Sequence, residues 1–188
     1  MTEILANVPV VTTPRLVLRH IARDDLDAVY AFHGDPRAMR YWSFPAWTDR
    51  AQADAWFDER GTLGHSREHY PWGVERRDEE GLIGALTLFQ IDRVQRRCEV
   101  GYIFNPAHWG RGYAAEALRA ALAHAFDVLE LARVEADIDP RNDASCRLVE
   151  KIGFRREGVL RERWRVNGEV CDSAIYGLLA RELVACNR

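Results

Sequence analysis

Apolar and polar positions alternate in short runs at both ends of the chain, around one long helical repeat. Arg15-Leu16-Val17-Leu18-Arg19 has the spacing of a strand, and residues 1–11 before it form a short arm. Asp24 is placed to cap a helix through Tyr30 and Phe32, with Asp27 three residues on and Gly34 to end it. Thr48 is placed to cap a second helix through Trp56 and Phe57, with Gly61 as its stop. Between them Tyr41-Trp42-Ser43-Phe44-Pro45-Ala46-Trp47 is unusually aromatic for a connection. It reads either as core packing under a loop or as one wall of a pocket.

Three strand-like segments follow: Tyr70 to Glu75, Leu82 to Gln90 after the turn Asp78-Glu79-Glu80-Gly81, and Cys98 to Phe104. Their close spacing predicts antiparallel neighbours, and Asn105-Pro106 ends the third, because proline has no N–H for a ladder. From Gly112 a helix is predicted, with Ala114, Ala117, Leu118, Ala121, Leu122, Ala125, Phe126 and Leu129 on one face. Val134 to Ile138 is a strand, and Asn142 or Asp143 caps a further helix. Gly153 suits the left-handed position after that helix, with Phe154 folding back on Val149. Arg161 to Val166, Asn167-Gly168 and Glu169 to Leu179 form a hairpin. The chain shows no internal repeat and no linker.

At 188 residues, 47% hydrophobic and 29% charged, it is long enough for one domain over residues 1–188 with its own core. A net charge of -3 argues against a dedicated nucleic-acid binder. Arg93-Val-Gln-Arg96-Arg97 is locally basic, which fits a solvated loop or a docking patch for an acidic partner or ribosomal RNA. Cys98, Cys146, Cys171 and Cys186 are scattered, as in a reducing compartment. No apolar run approaches a membrane span and the first residues lack the pattern of a signal peptide, so the cytoplasm is the expected location.

The segment with most chemistry is His108-Trp109-Gly110-Arg111-Gly112-Tyr113-Ala114. A loop entering a helix through small residues presents several backbone N–H groups and the positive helix end, which together favour phosphate. Gly110 and Gly112 clear the approach, Ala114 is small, and Arg111 adds charge. A turn that merely packs a helix on a sheet has the same glycines. Gly110 to Ala115 also matches the dinucleotide pattern G-x-G-x-x-A, with Asp137 or Asp139 downstream for a ribose, which would make an NAD(P)-dependent oxidoreductase. Against it, Asn105 to Trp109 separates the glycines from their strand, and antiparallel segments surround them.

From Thr13 to Leu179 the chain resembles the GNAT N-acetyltransferases, specifically their RimJ/RimL-like branch. The matching pieces, in order, are Thr13 to Arg19, Leu82-Ile83-Gly84, Glu99 to Phe104, Trp109 to Ala117, and Asn142 to Phe154. Trp109 stands where the wider superfamily has Gln or Arg, which points to that branch. The resemblance implies an α/β (α+β) fold, a mixed, mostly antiparallel twisted sheet flanked by helices and splayed at its fourth and fifth strands. The acyl-CoA pantetheine would lie in the opening, on the backbone of Tyr102, Ile103 and Phe104, where a strand N–H would polarise the thioester carbonyl. The pyrophosphate would sit on Trp109, Gly110, Arg111, Gly112, Tyr113, Ala114 and Ala115.

By the same resemblance Asn142 would hold the pantetheine arm and Ser145 would donate to the departing thiolate, although both residue types also suit helix capping. Glu99 is the candidate base for the attacking amine, sharing a strand face with Gly101 and Ile103. A solvent-facing strand glutamate would look the same in sequence. Asp172 is the second choice, and Tyr102 offers an alternative hydroxyl. His65 and His69 share a possible helix face without a third ligand, so no metal is expected. His108 adjoins the phosphate turn, in a supporting or a surface role. The implied activity is acetyl transfer from acetyl-CoA to a primary amine by direct attack in a ternary complex. The acceptor would be a protein N-terminus, ribosomal proteins included, or a small-molecule amine. A non-catalytic acyl-CoA-binding module is the alternative, and a homodimer is a family-level expectation.

Overall fold

A computed structural model describes residues 8–63 and 69–183. Among these residues eight strands form one sheet in the order β1-β2-β3-β4-β5-β6-β8-β7. They are β1 (Val11–Thr12), β2 (Leu16–Arg19), β3 (Tyr70–Arg76), β4 (Glu79–Asp92), β5 (Arg97–Phe104), β6 (Arg133–Ile138), β7 (Arg155–Val166) and β8 (Glu169–Leu179). The helices are α1 (Leu26–His33), α2 (Ala51–Leu63), α3 (Tyr113–Ala123), α4 (Asp143–Ile152) and α5 (Ala180–Leu183). All neighbouring strands are antiparallel except β5 and β6. This is the mixed, mostly antiparallel sheet expected. Val11 pairs with Leu18 and Thr12 with Val17, so the arm joins the sheet at its last residue, while residues 1–7 lie outside the described ones. With that extra strand counted, the expected fourth and fifth strands are β5 and β6.

Alternation along β5 divides the core. Cys98, Val100 and Phe104 pack with α3 and with Val149 and Ile152 of α4, whereas Ile103 packs with Leu26, Val29 and Phe32 of α1. Ala117, Ala121 and Ala125 are fully buried, which lets α3 lie close on the sheet, and Leu118 and Leu122 fill the space beside them. Each such leucine contributes roughly 1.5–3 kcal/mol of apolar burial.

Several boundaries differ from the sequence expectation, each for a local reason. Asp25, not Asp24, organises the entry to α1: its carboxylate accepts from the Ala22 N–H at 2.8 Å and holds Arg19 at 2.7 Å. The α2 start is set by Gln52 and Asp49 rather than Thr48. Gln52 Oε1 accepts the N–H groups of Thr48 and Asp49, and the Asp49 carboxylate accepts from Ala51 N–H. The helix passes through Gly61 to Leu63. The β3–β4 turn tightens to Arg77 and Asp78, with Glu79 already in the ladder opposite Arg76. A π turn over His124–Val128 follows α3. The hairpin forms as expected, with Asn167 at φ 49° and Gly168 at φ 82°. Its first strand begins earlier, at Arg155.

Candidate active site

β5 and β6 pair at Arg97–Arg133, Cys98–Val134 and Glu99–Glu135, and their ladder then stops while β5 runs on beside β4 to Phe104. The two strands therefore open into a notch beyond Glu99. The Asn105 N–H donates to the Ile83 carbonyl at 2.9 Å, which fixes the parity of the β4–β5 ladder. Antiparallel alternation then turns the backbone of Gly101 and Ile103 toward β4, and that of Tyr102 and Phe104 toward the notch. Tyr102 and Phe104 thus present backbone groups to the notch. The Ile103 backbone is engaged with β4 instead, and the Val100 carbonyl lies on the notch edge. The Phe104 carbonyl accepts from the Trp109 indole at 2.8 Å, tying the strand end to the glycine turn.

Gly110 and Gly112 have φ of 74° and 80°, a region that side-chain-bearing residues rarely adopt. A Cβ added at Gly110 would meet nothing within 4 Å, so the turn's backbone is open to a ligand. Gly112 leads directly into α3, whose first residues Tyr113, Ala114 and Ala115 present the positive helix end. Arg111 and His108 flank it; burial and Arg111 lower the His108 pKa. Glu116 clamps the turn to the start of the chain, where its carboxylate receives the Thr13 hydroxyl at 2.6 Å, the Arg15 N–H at 2.9 Å and the Arg15 Nε at 2.6 Å. A second nitrogen of the Arg15 guanidinium, Nη1, donates to the Arg111 carbonyl at 3.0 Å. The notch edge and the glycine turn together fit the amide-bearing arm and pyrophosphate of a coenzyme A ester. They do not fit a dinucleotide, since the parallel doubly wound sheet of that fingerprint is not the sheet found here.

The notch opens into a cavity of about 580 Å³. Glu99, Thr87 and Phe89 line it from the strands, Tyr41, Trp42 and Phe44 from the aromatic connection, and Asn142 and Ser145 from the start of α4. The aromatic segment serves both expected purposes: Trp47 is buried, stacked on His33 with centroids 4.3 Å apart, while Trp42 and Phe44 face the cavity.

Glu99 lies at the last paired position before the notch, with Phe89 directly opposite. Burial raises its pKa, the Glu135 and Asp137 charges raise it further, and Arg163 and Arg97 act the other way. It makes no hydrogen bond or ion pair among the described residues. Asp172 is exposed and accepts from the Glu162 N–H at 2.8 Å, which commits it to the hairpin. Asn142 Oδ1 accepts the Ser145 N–H at 3.2 Å, so Asn142 caps α4. The Tyr102 hydroxyl is buried without hydrogen-bonding geometry to any described group. Burial pushes its pKa up to about 12, and the neighbouring Ser145 side chain acts against that rise. Cys98 is likewise pushed up to about 12, chiefly by burial, and is an inert core thiol. Among the described residues no group of three or more metal-binding side chains occurs; His65 of the histidine pair lies outside them. No helix among the described residues is long and apolar enough to cross a membrane.

A family model described as an acetyltransferase (GNAT) domain matches residues 15–155. An uncharacterized N-acetyltransferase, YoaA, of Bacillus subtilis is 33% identical over 91% of this chain and 97% of its own length. The spermidine N(1)-acetyltransferase of Escherichia coli K12 is 28% identical, over 81% of this chain and 79% of its own length. Among solved structures, spermidine N-acetyltransferase from Vibrio cholerae in complex with CoA and spermine superposes with a TM-score of 0.81. It is 25% identical, over 92% of this chain and 99% of that one. A GNAT-family acetyltransferase from Bacillus anthracis gives 0.82 at 26% identity, over 93% of this chain and all of that one.

Proposed function

The chain belongs to the GNAT acetyltransferase family, and from that premise we propose that it moves an acetyl group from acetyl-CoA to a primary amine seated beside Glu99. Family membership makes it an acetyltransferase rather than a non-catalytic acyl-CoA-binding module. Trp109 and the Thr13-Pro14-Arg15 segment support the RimJ/RimL-like branch within the family. The observation that carries the reading is the position of Glu99: a half-buried, uncommitted carboxylate facing the cavity where the notch begins.

The Glu99 carboxylate accepts one proton from the ammonium form of the substrate, which frees the nitrogen lone pair for attack on the thioester carbonyl. Its raised pKa makes it a stronger acceptor than an ordinary carboxylate. Tyr102 and Phe104 direct backbone groups into the notch, where acetyl-CoA supplies the activated acyl group. At the start of α4 Ser145 offers its hydroxyl to the departing sulfur, and Tyr102, whose buried hydroxyl lies beside Ser145, is protonated at neutral pH and suited to support that donation. One proton ends on the sulfur and one reaches solvent through Glu99. Asn142 fixes Ser145 by capping its helix.

The test is to incubate the protein with acetyl-CoA and a panel of amines and N-terminal peptides, reading free thiol and the mass of the acetylated product. Amine-dependent thiol release is expected. Silence across the panel, with no thermal shift on adding CoA, contradicts the proposal.

A further inference from the structure

The aromatic connection between α1 and α2 is pinned at both ends. The Met39 N–H donates to the Asp35 carbonyl at 3.0 Å and the Trp47 N–H to the His33 carbonyl at 2.9 Å, and both side chains are buried. Between them Trp42 and Phe44 meet edge to face, with centroids 5.3 Å apart, and line the cavity. Arg40 and Tyr41 stand exposed at its mouth.

Charge holds the outer side of this segment. Arg40 lies 3.3 Å from one oxygen of Glu169, the first residue of β8, and the other oxygen accepts from Arg141. Arg141 is fixed from behind by Asp139, a sheltered carboxylate that accepts both its Nε and its backbone N–H at 2.9 Å. Both guanidiniums lie over the Tyr41 ring, Arg40 at 5.3 Å and Arg141 at 5.9 Å from its centroid. One carboxylate thereby joins three borders of the mouth: the aromatic segment, the loop from β6 to α4, and the tip of the β7–β8 hairpin. An isolated exposed ion pair contributes little, but a shared carboxylate whose second partner is already fixed loses less freedom on closing.

We infer that Glu169 is a positioning residue for the acceptor: with Arg40 and Arg141 it forms an ionic strap that holds the aromatic wall over the amine beside Glu99. The inference rests on the amine-acetylation reading of the same cavity. Releasing the strap lets Trp42 and Phe44 swing away from the amine, while Asp139 still holds Arg141 and the notch is left as it was. It is tested on the intact chain with Glu169→Gln, using acetyl-CoA and an amine accepted in the thiol-release panel. The amine KM is expected to rise about fivefold, with kcat and the acetyl-CoA KM within about twofold of the unaltered protein. Hydrogen exchange is expected to quicken at the Trp42 amide, which donates to the Met39 carbonyl at 3.1 Å when the strap is closed. Adding Arg40→Gln to Glu169→Gln is expected to move the amine KM by less than about twofold more, because the two side chains share one contact. An unchanged amine KM, a rise without quicker exchange at Trp42, or a second full loss on adding Arg40→Gln overturns the inference while amine acetylation stands. A silent panel overturns the amine-acetylation reading itself, and the inference with it.

Discussion

The Arg15 guanidinium and the Glu116 carboxylate, 2.6 Å apart, join the edge of the sheet to the first turn of α3 across the glycine turn. Because Arg15 also holds the Arg111 carbonyl, this pair fixes the backbone on which the pyrophosphate would rest. Glu116→Ala removes the acceptor of three hydrogen bonds at once. The expected result is a rise of about fivefold in the KM for acetyl-CoA with kcat nearly unchanged, the size of a partly exposed charged contact. Steady-state kinetics at saturating amine measure it.

Gly84 gives the Leu82-Ile83-Gly84 segment a physical purpose. A Cβ there would lie 2.4 Å from the Ile103 carbonyl oxygen and 2.7 Å from the Phe104 ring. Gly84→Ala therefore has to displace the strand that borders the notch, at a cost of about 1–3 kcal/mol. Denaturant unfolding is expected to show that loss, together with weaker binding of CoA in calorimetry.

Tyr102→Phe separates activity from stability. Among the described residues only the Ser145 side chain stands beside the buried hydroxyl, and it can turn to another partner, so the melting temperature is expected to hold or rise. If the hydroxyl donates to the departing sulfur, kcat falls by about tenfold or more. Unchanged kcat would assign the donation to Ser145, which Ser145→Ala then reports.

Glu99→Gln is expected to stabilise the fold near neutral pH. The folded-state pKa of Glu99 lies above its ordinary value of 4.5, so the folded state binds the proton more tightly than the unfolded chain. The charged side chain consequently costs stability as pH rises through the folded-state value, and costs nothing below 4.5, where both states are protonated. Melting curves across that range should show the variant's advantage appear with rising pH and vanish in acid.

Local rules carried much of the fold. The Asn167-Gly168 turn, the Gly153 stop of α4 and the alanine stripe of α3 depend on residues a few positions apart, and each formed as its chemistry dictates. Errors fell where several local signals competed or where distance decided. Asp24 and Asp25 are equivalent in sequence, and Arg19 favours the second. Gly61 reads as a stop, yet α2 continues through it. In the candidate site, Glu99 and the glycine turn were legible because strand alternation and glycine conformation are local. The engagement of the Ile103 backbone with β4 was not, since backbone direction follows from the register of that ladder. Neither was the Arg15–Glu116 clamp, whose partners stand 101 residues apart. An acid four residues into a helix signals only favour with the helix dipole.

Central to the account is Glu99 as the proton acceptor, and the pH dependence of kcat/KM for the wild-type chain and Glu99→Gln, measured with one accepted amine, tests it most directly. The wild type is expected to gain activity with rising pH along a limb above the ordinary glutamate range. Glu99→Gln should lose about a hundredfold or more and lose that limb with it. Full activity in Glu99→Gln with an unmoved acid limb would contradict the account.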